Sequence, residues 1–232
     1  MDTEMNTGHG ADAPADGLGL RESKKRETRQ LISDHATRLF LQQGFERTTI
    51  AEIAAAARVA KKTVTNYFPR KEDLALDHQE EFVAGLARTV ADRRPGQSAL
   101  TALRLAFQAA VTAQDPVAGF AGPEFSRMIA DSPTLSACLR ALHDRREAAL
   151  AHALAEATGA PADDITARTA AALLAAVHRT LFQRIQELTL AGRDNPDIAA
   201  VLTEETTRAF DLLEPALAHY AVRVPEPSRS GQ

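Results

Sequence analysis

Apolar residues recur every three or four positions along almost the whole chain, and this period constrains the fold more than any other feature. Runs that alternate apolar and polar residues, as strands do, are missing from the sequence. The pattern therefore predicts an all-α protein. The predicted helices cover residues 23–43, 50–57, 61–67, 71–92, 98–113, 123–130, 133–157, 163–190 and 196–221, with the last one kinked or split at Pro215.

The composition excludes several classes of protein. The 232 residues suffice for one or two domains with a buried core, and a single cysteine, Cys138, excludes a disulfide framework and a Cys-rich zinc site within one chain. No apolar run approaches the roughly 18 residues of a membrane span. We expect a cytoplasmic protein with no membrane partner. Residues 1–20 carry four acids and no Lys or Arg, which predicts a disordered acidic tail, and residues 224–232 are predicted to fray.

Charge is distributed unevenly along a chain whose net charge is –4. Residues 21–74 carry 12 Lys and Arg against 7 Asp and Glu, whereas residues 75–232 carry 15 Arg against 20 acids. A basic module joined to an acidic body favours one end that faces a polyanion such as DNA. An uneven but purely solvated surface explains the same counts equally well.

Two short predicted helices follow the first long one and are separated by a tight turn. Thr49 and Glu52 form a T-x-x-E capping box at the start of the first short helix, and Pro69 ends the second. In a helix-turn-helix, such a first helix braces a second one that fits the major groove, which is about 12 Å wide. Plain packing of two short helices in an all-α protein produces the same pattern.

The segment 45–74 reads FERTTIAEIAAAARVAKKTVTNYFPRKEDL. It resembles the DNA-binding domain of TetR-family transcriptional regulators, and the resemblance covers about residues 24–84. It implies an N-terminal three-helix helix-turn-helix domain over residues 21–74, followed by a larger helical domain for effector binding and dimerisation over residues 75–223. The residues that carry the resemblance are Gly44, Phe45, Thr48, Thr49, Ile53, Ala54, Ala57, Val59, Thr63, Tyr67, Phe68, Lys71, Glu72 and Leu74.

The sequence departs from the family pattern around the turn. Arg58 stands where the family favours Gly, at a position that often needs a positive φ, and we expect a cost of about 1 kcal/mol. Ala60 replaces the usual Ser and forgoes an N-cap worth roughly 0.5–2 kcal/mol. Lys61 and Lys62 lie at a helix N-terminus, where the dipole disfavours cations. We expect bound DNA to offset these costs. The alternative is a helical interaction module that has lost DNA binding.

The resemblance also implies roles for single residues of the DNA-binding domain. Thr48, Thr49, Tyr67 and Lys71 would contact phosphate. Capping would also explain Thr49, core packing would explain Tyr67, and simple surface solvation would explain Lys71. Five residues of the second short helix would face the groove: Lys61, Lys62, Thr63, Thr65 and Asn66. A basic arm either reaches the DNA or forms a solvated helix start, and it comprises Arg21, Lys24, Lys25, Arg26 and Arg29.

In the larger domain, the resemblance implies an effector pocket and a four-helix dimer interface. Both sets of candidate residues would equally suit an ordinary core, and His178 is the main polar candidate. The pocket candidates are Phe82, Leu86, Leu103, Phe107, Phe120, Phe125, Met128, Leu174, His178 and Phe182. The dimer candidates are Ala170, Leu181, Ile185, Leu188, Leu202, Ala209, Leu213 and Leu217.

The sequence therefore predicts a regulator of transcription rather than an enzyme. It contains no hydrolase, phosphate-binding, zinc-protease or dinucleotide motif, and no catalytic residue, metal or cofactor is expected. We predict a repressor that binds a palindromic operator in double-stranded DNA as a homodimer. A small-molecule effector of unknown identity would release it.

Overall fold

The computed structural model of the protein describes the backbone of residues 16–224 and the side chains of residues 21–224. Residues 1–15 of the predicted tail 1–20 and residues 225–232 of the predicted tail 224–232 lie outside this part. The described residues form α-helices joined by loops and turns, with a 3-10 turn over Pro116–Ala118. The helices are α1 (Asp16–Gln43), α2 (Ile50–Ala56), α3 (Lys61–Tyr67), α4 (Glu72–Ala75), α5 (Gln79–Ala91), α6 (Ala99–Ala113), α7 (Pro123–Asp131), α8 (Pro133–Thr158), α9 (Ile165–Leu190), α10 (Asn195–Asp211) and α11 (Glu214–Leu217).

The all-α prediction is confirmed, but the start of α1 and the predicted helix 71–92 differ from the structure. Helix α1 begins at Asp16 instead of residue 23. The predicted helix 71–92 is two helices, α4 and α5, because the chain leaves helical geometry at Leu76. A tertiary contact fixes this break: the Ser33 hydroxyl of α1 donates a hydrogen bond to the Asp77 carboxylate at 2.7 Å. The predicted split near Pro215 is confirmed, since α10 ends at Asp211 and α11 carries this proline in its first turn.

Helices α1 to α4, which we call the head, share one apolar core. Phe40, Val64 and Phe68 lie at its centre with at most 1% of their surface exposed. Burial of one such side chain stabilises a fold by about 1.5–3 kcal/mol. Ile129 of α7 and Leu135 of α8 belong to the same cluster. The core therefore continues across residue 74, and the domain boundary at that residue stays a prediction.

Helices α5 to α11, which we call the body, enclose a second and larger core. Leu103, Leu150, Leu174 and Phe210 are fully buried there, and α8 packs against both α5 and α9. Among residues 21–224, no helix has the length and apolar character needed to cross a membrane.

A second polar contact joins the head to the body. The Ser132 hydroxyl, at the start of α8, donates a hydrogen bond to the Glu46 carboxylate at 2.6 Å. This bond and one from Thr134 lower the pKa of Glu46. Together with the contact between Ser33 and Asp77, it fixes the angle at which the head meets the body.

The residues predicted for the dimer interface need a correction. Six of the eight are buried within the single chain, because an apolar stripe on an amphipathic helix first marks the face that packs on its own core. Ala209 and Leu213 are partly exposed. The six buried residues are Ala170, Leu181, Ile185, Leu188, Leu202 and Leu217.

Candidate functional site

Helix α2 begins with the predicted capping box. The Thr49 backbone N–H donates to the Glu52 carboxylate at 2.7 Å, and the Glu52 N–H donates to the Thr49 hydroxyl at 3.2 Å. The bond from the Thr49 N–H, together with one that the Thr49 hydroxyl donates to the same carboxylate at 2.8 Å, lowers the pKa of Glu52. The box satisfies two N–H groups at the start of α2 and so fixes the helix that braces α3.

The turn between α2 and α3 closes despite its unusual sequence. Arg58 adopts a φ of +54°, the left-handed conformation predicted for this position. The backbone N–H of Val59 then donates to the carbonyl of Ala54 at 2.9 Å. Ala60 is the N-cap of α3 and offers no side-chain bond, also as predicted. The turn keeps its geometry at the cost of one strained residue and one missing cap.

Helix α3 presents a polar face to solvent. Val64 and Phe68 point into the head and are buried. Lys61, Lys62 and Asn66 are exposed on the opposite side. Thr63, Thr65 and Tyr67 flank that exposed face and are partly buried. All the residues predicted to read the groove therefore lie on one short helix that the head core holds from behind.

Two predicted phosphate contacts have other partners in the structure. The Thr48 side chain is 1% exposed, and its hydroxyl donates to the carbonyl of Gly44 at 2.9 Å. The Lys71 ammonium donates to the carbonyls of Phe45 at 2.9 Å, Glu46 at 3.3 Å and Thr48 at 3.1 Å. It also lies 4.2 Å from the centre of the Phe45 ring. Both side chains hold the loop between α1 and α2. Burial corrects the predicted phosphate contact of Thr48, whereas that of the partly exposed Lys71 stays a prediction.

The basic arm on α1 runs towards the same surface. Its cationic side chains are exposed, and the Arg29 guanidinium stacks 4.3 Å from the ring centre of Phe68, at the end of α3. The stacking places a positive charge beside the end of α3. An exposed cation that the sequence analysis did not select, Arg47, lies two residues before the N-cap of α2.

The predicted effector residues divide between two cavities in the body. Phe107 and His178 line the larger one, of 710 Å³, between α5, α6, α8 and α9. Phe82 and Phe125 line a smaller one, of 310 Å³, beside the joint between head and body. Phe182 lines both cavities. Leu86 lines the larger cavity and Phe120 the smaller one.

Three predicted pocket residues need a correction. Leu103 and Leu174 are fully buried in the body core and line neither cavity. Met128 packs into the core of the head. The sequence analysis missed Arg146, which lines the larger cavity. The signal was present, because this arginine follows Leu142 by four residues and precedes Leu150 by four, and so continues an inward stripe.

The comparisons with known proteins agree with this architecture. The model of bacterial regulatory proteins of the tetR family matches residues 32–77, which span most of the head. The chain is 31% identical over 153 residues to the HTH-type transcriptional regulator TcmR of Streptomyces glaucescens, an alignment that covers 64% of this chain and 68% of that protein. The chain belongs to the tetR family. It is a DNA-binding regulator of transcription.

Two other proteins match a shorter stretch of the chain or its fold. The chain is 34% identical over 62 residues to the repressor DhaR of Mycobacterium sp. strain GP1, which covers 27% of this chain and 31% of DhaR. SmeT, the repressor of a multidrug efflux pump of Stenotrophomonas maltophilia, has the same fold, with a TM-score of 0.52 and 21% identity over 86% of this chain and 96% of SmeT.

Proposed function

We propose that this regulator reads a palindromic operator as a homodimer, represses transcription there, and is released by a small molecule. The observation that supports this most directly is the exposed polar face of α3 on a closed helix-turn-helix. Named relatives that repress transcription favour repression. DNA as the partner favours a cytoplasmic location, and the proposal assigns the protein no catalytic activity.

In the proposed complex, α3 lies in the major groove. Asn66 has the geometry to bond adenine at N6 and N7, and Lys62 can donate to guanine at O6 and N7. Thr65 can pack its methyl group against thymine. Lys61 and Thr63 would also face the groove, while Tyr67 and the exposed Thr49 at the start of α2 would contact phosphate.

Selection from a random duplex library, followed by fluorescence anisotropy across a salt series, tests this proposal. We expect one enriched palindrome, with log affinity falling against log salt by about 0.9 for each phosphate that is neutralised. Asn66→Ala should weaken binding by about 1–3 kcal/mol and relax one base position. Lys62→Ala should weaken binding too, and Arg145→Ala, which removes an exposed charge from α8, should leave it unchanged. Absence of any enriched sequence would favour the interaction-module alternative.

The proposed dimer uses the outward face of α9 rather than its buried stripe. Thr169, Leu173, Ala176, Thr180 and Gln183 are exposed at helical spacing and carry no charge. A two-fold pairing of such faces would set two α3 helices at the spacing of one DNA turn, about 34–36 Å.

One substitution on this face tests the dimer. Ala176→Arg should yield monomers in sedimentation velocity and abolish binding to the palindrome, because it introduces a charge at the centre of the proposed contact. Ala148→Arg, an equally exposed position on α8, is the control and should stay dimeric. A dimer that survives Ala176→Arg contradicts this interface.

Release requires a ligand that binds one arrangement of the head more tightly than another. The smaller cavity supports this route, because Thr37 of α1 and Leu76, between α4 and α5, both line it. A ligand that fills it would press on the joint that orients the head, and the two heads of the dimer would then no longer match the operator spacing.

A further inference from the structure

The larger cavity contains buried polar groups that the protein itself leaves unpaired. His178 is 4% exposed, and neither ring nitrogen has a hydrogen-bond partner among the described residues. Arg146 Nε is buried without a partner in the same part of the chain, and Arg146 forms no ion pair there. The neighbouring Arg179 differs, since it pairs with Asp144 at 3.6 Å and Glu147 at 3.5 Å.

Aromatic and aliphatic walls surround these polar groups. The ring of Phe107 meets His178 edge-on, with 5.3 Å between the ring centres. The Arg146 guanidinium stacks 4.4 Å from the ring centre of Phe82. Gly85 of α5 leaves the space beside Arg146 open, because a Cβ there would meet only Arg146 Nη2, at 4.0 Å. The cavity therefore has apolar walls and contains a cation, the Arg146 guanidinium, with open space beside it.

The acidic residues that line this cavity do not form ion pairs that would neutralise the charge of Arg146. The Asp115 carboxylate accepts the backbone N–H of Val117 at 2.8 Å, and Glu81 lies 3.5 Å from His78. Asp92 is the third acid in the wall, and it too forms no ion pair with Arg146 in the described part of the chain. A guanidinium stays charged at neutral pH, and burial lowers the pKa of Arg146 only to about 10. Partial burial of an uncompensated cation is costly, so an external anion would be bound favourably.

His178 complements a cation of this kind. Burial lowers the pKa of His178 well below its usual range, so its ring is neutral, with one nitrogen that donates and one that accepts. A donor in the same cavity as a guanidinium suits a group with two oxygens or a deprotonated hydroxyl.

We propose that this cavity binds an organic acid, with its anionic oxygen group bonded to Arg146 and His178 and its apolar body against Phe107, Phe182 and Leu86. The volume of 710 Å³ is in the usual range for small-molecule sites. Val117 and Phe182 also line the smaller cavity, so an extended apolar body can reach the joint between head and body. This inference names the ligand class of the proposed function and rests on it only for the effect on DNA.

Calorimetry on the full-length protein tests the binding without DNA. The probes are carboxylic acids and their neutral amides in matched pairs: benzoate and benzamide, 2-naphthoate and 2-naphthamide, dodecanoate and dodecanamide. We expect at least one acid to bind about tenfold or more tightly than its amide, because charge-assisted hydrogen bonds are roughly twice as strong as neutral ones. An absence of acid preference in every pair would overturn the proposal.

Variants assign that preference to its residues. Arg146→Gln should lower the affinity for the acid to that of the amide and leave the amide unchanged. Arg146→Lys, which keeps the charge, should retain part of the preference, and His178→Leu should reduce it. Arg145→Gln is the matched control, since Arg145 is the exposed neighbour on the same helix. Equal losses for acid and amide in Arg146→Gln would indicate a packing role and contradict the proposal.

The operator assay on the same preparations separates the two hypotheses. Acid binding by a protein that selects no operator would refute the proposed DNA reading and leave the acid site intact. Operator binding by a protein with no acid preference would refute the acid site alone. Acid that binds and lowers operator affinity in the wild type, but not in Arg146→Gln, would support both.

Discussion

The head and the body differ in whether all of their buried polar side chains have hydrogen-bond partners. In the head, the Thr48 hydroxyl, the Ser33 hydroxyl and the Lys71 ammonium all have hydrogen-bond partners. Every buried side-chain nitrogen or oxygen without a partner among residues 21–224 belongs to the body, with His178 and Thr206 among them.

This contrast explains how one chain could both recognise a DNA sequence and respond to a ligand. A unit whose polar groups are all paired has one favoured arrangement, which suits a helix that must match a fixed groove. A unit with unpaired polar groups retains hydrogen-bonding capacity that a ligand can use. Substitutions that remove buried, paired polar groups should therefore destabilise the head, whereas substitutions that remove the unpaired ones should stabilise the body.

The largest expected effect is in the head. Lys71→Met should lower the free energy of unfolding by about 2–3 kcal/mol, because it removes hydrogen bonds from a charged donor to three loop carbonyls. Urea unfolding followed by circular dichroism measures the loss. Lys62→Met, at an exposed position, should change stability by no more than about 0.5 kcal/mol. A Lys71→Met variant of normal stability that binds DNA weakly would instead support the predicted phosphate contact.

In the body, replacing an unpaired buried polar group should instead raise the free energy of unfolding. His178→Leu should raise the free energy of unfolding by about 1–2 kcal/mol, since it replaces an unpaired buried polar ring by an apolar group of similar size. Thr48→Val makes a comparable change in the head and should lower stability by about 1 kcal/mol. Thermal melts of the two variants compare them directly. The contrast between head and body fails if both variants shift in the same direction.

Acid should destabilise the body through its buried histidines. Burial lowers the pKa of His143 from 6.5 to about 4, so between these values the unfolded chain binds a proton that the folded chain does not. Stability is therefore full above pH 6.5 and falls as the pH is lowered towards 4. With allowance for solvent screening, we expect His143 alone to lower the free energy of unfolding by about 1 kcal/mol between pH 7 and pH 5.

Unfolding in urea at pH 7 and pH 5 measures this loss. His143→Phe should reduce the difference between the two pH values, whereas the exposed control His152→Gln should retain it. A wild type that is equally stable at both pH values would contradict the assignment.

The smallest expected effect is one of backbone strain, and it should be alike in both regions. Arg58 in the head and Gln114 in the body have φ values of +54° and +52°. Glycine at either position should stabilise the chain by about 0.5–1 kcal/mol, because it relieves the left-handed strain but adds freedom to the unfolded state. Melting temperatures of the two variants test this. A gain at Gln114 alone would mean that Arg58 has a compensating contact.

Local signals in the sequence predicted the head well. The capping box of Thr49 and Glu52, the left-handed Arg58 and the uncapped start of α3 follow from residue types at fixed spacing. The break between α4 and α5 was missed, although Asp77 followed three residues later by Glu80 is a pattern that marks helix starts. That break depends on Ser33, a partner 44 residues away from Asp77.

The body was harder to predict because its functions depend on whether each helix face contacts the core, a cavity or a partner chain. Helical periodicity identified the apolar stripe of α9 correctly but does not say whether the stripe packs on the same chain or on a partner. Arg146 was missed for a related reason: the sequence does not reveal that the cavity wall offers this cation no carboxylate partner.

The apolar core shared between head and body limits how this regulator can be re-engineered. Ile129 and Leu135 complete the hydrophobic cluster of the head, and Ser132 bonds to Glu46 in its first loop. A chimaera that transplants only residues 21–74 onto another sensor would leave apolar surface uncovered and one carboxylate without its donor. A working biosensor built from this head must import the segment from α7 into α8 together with it.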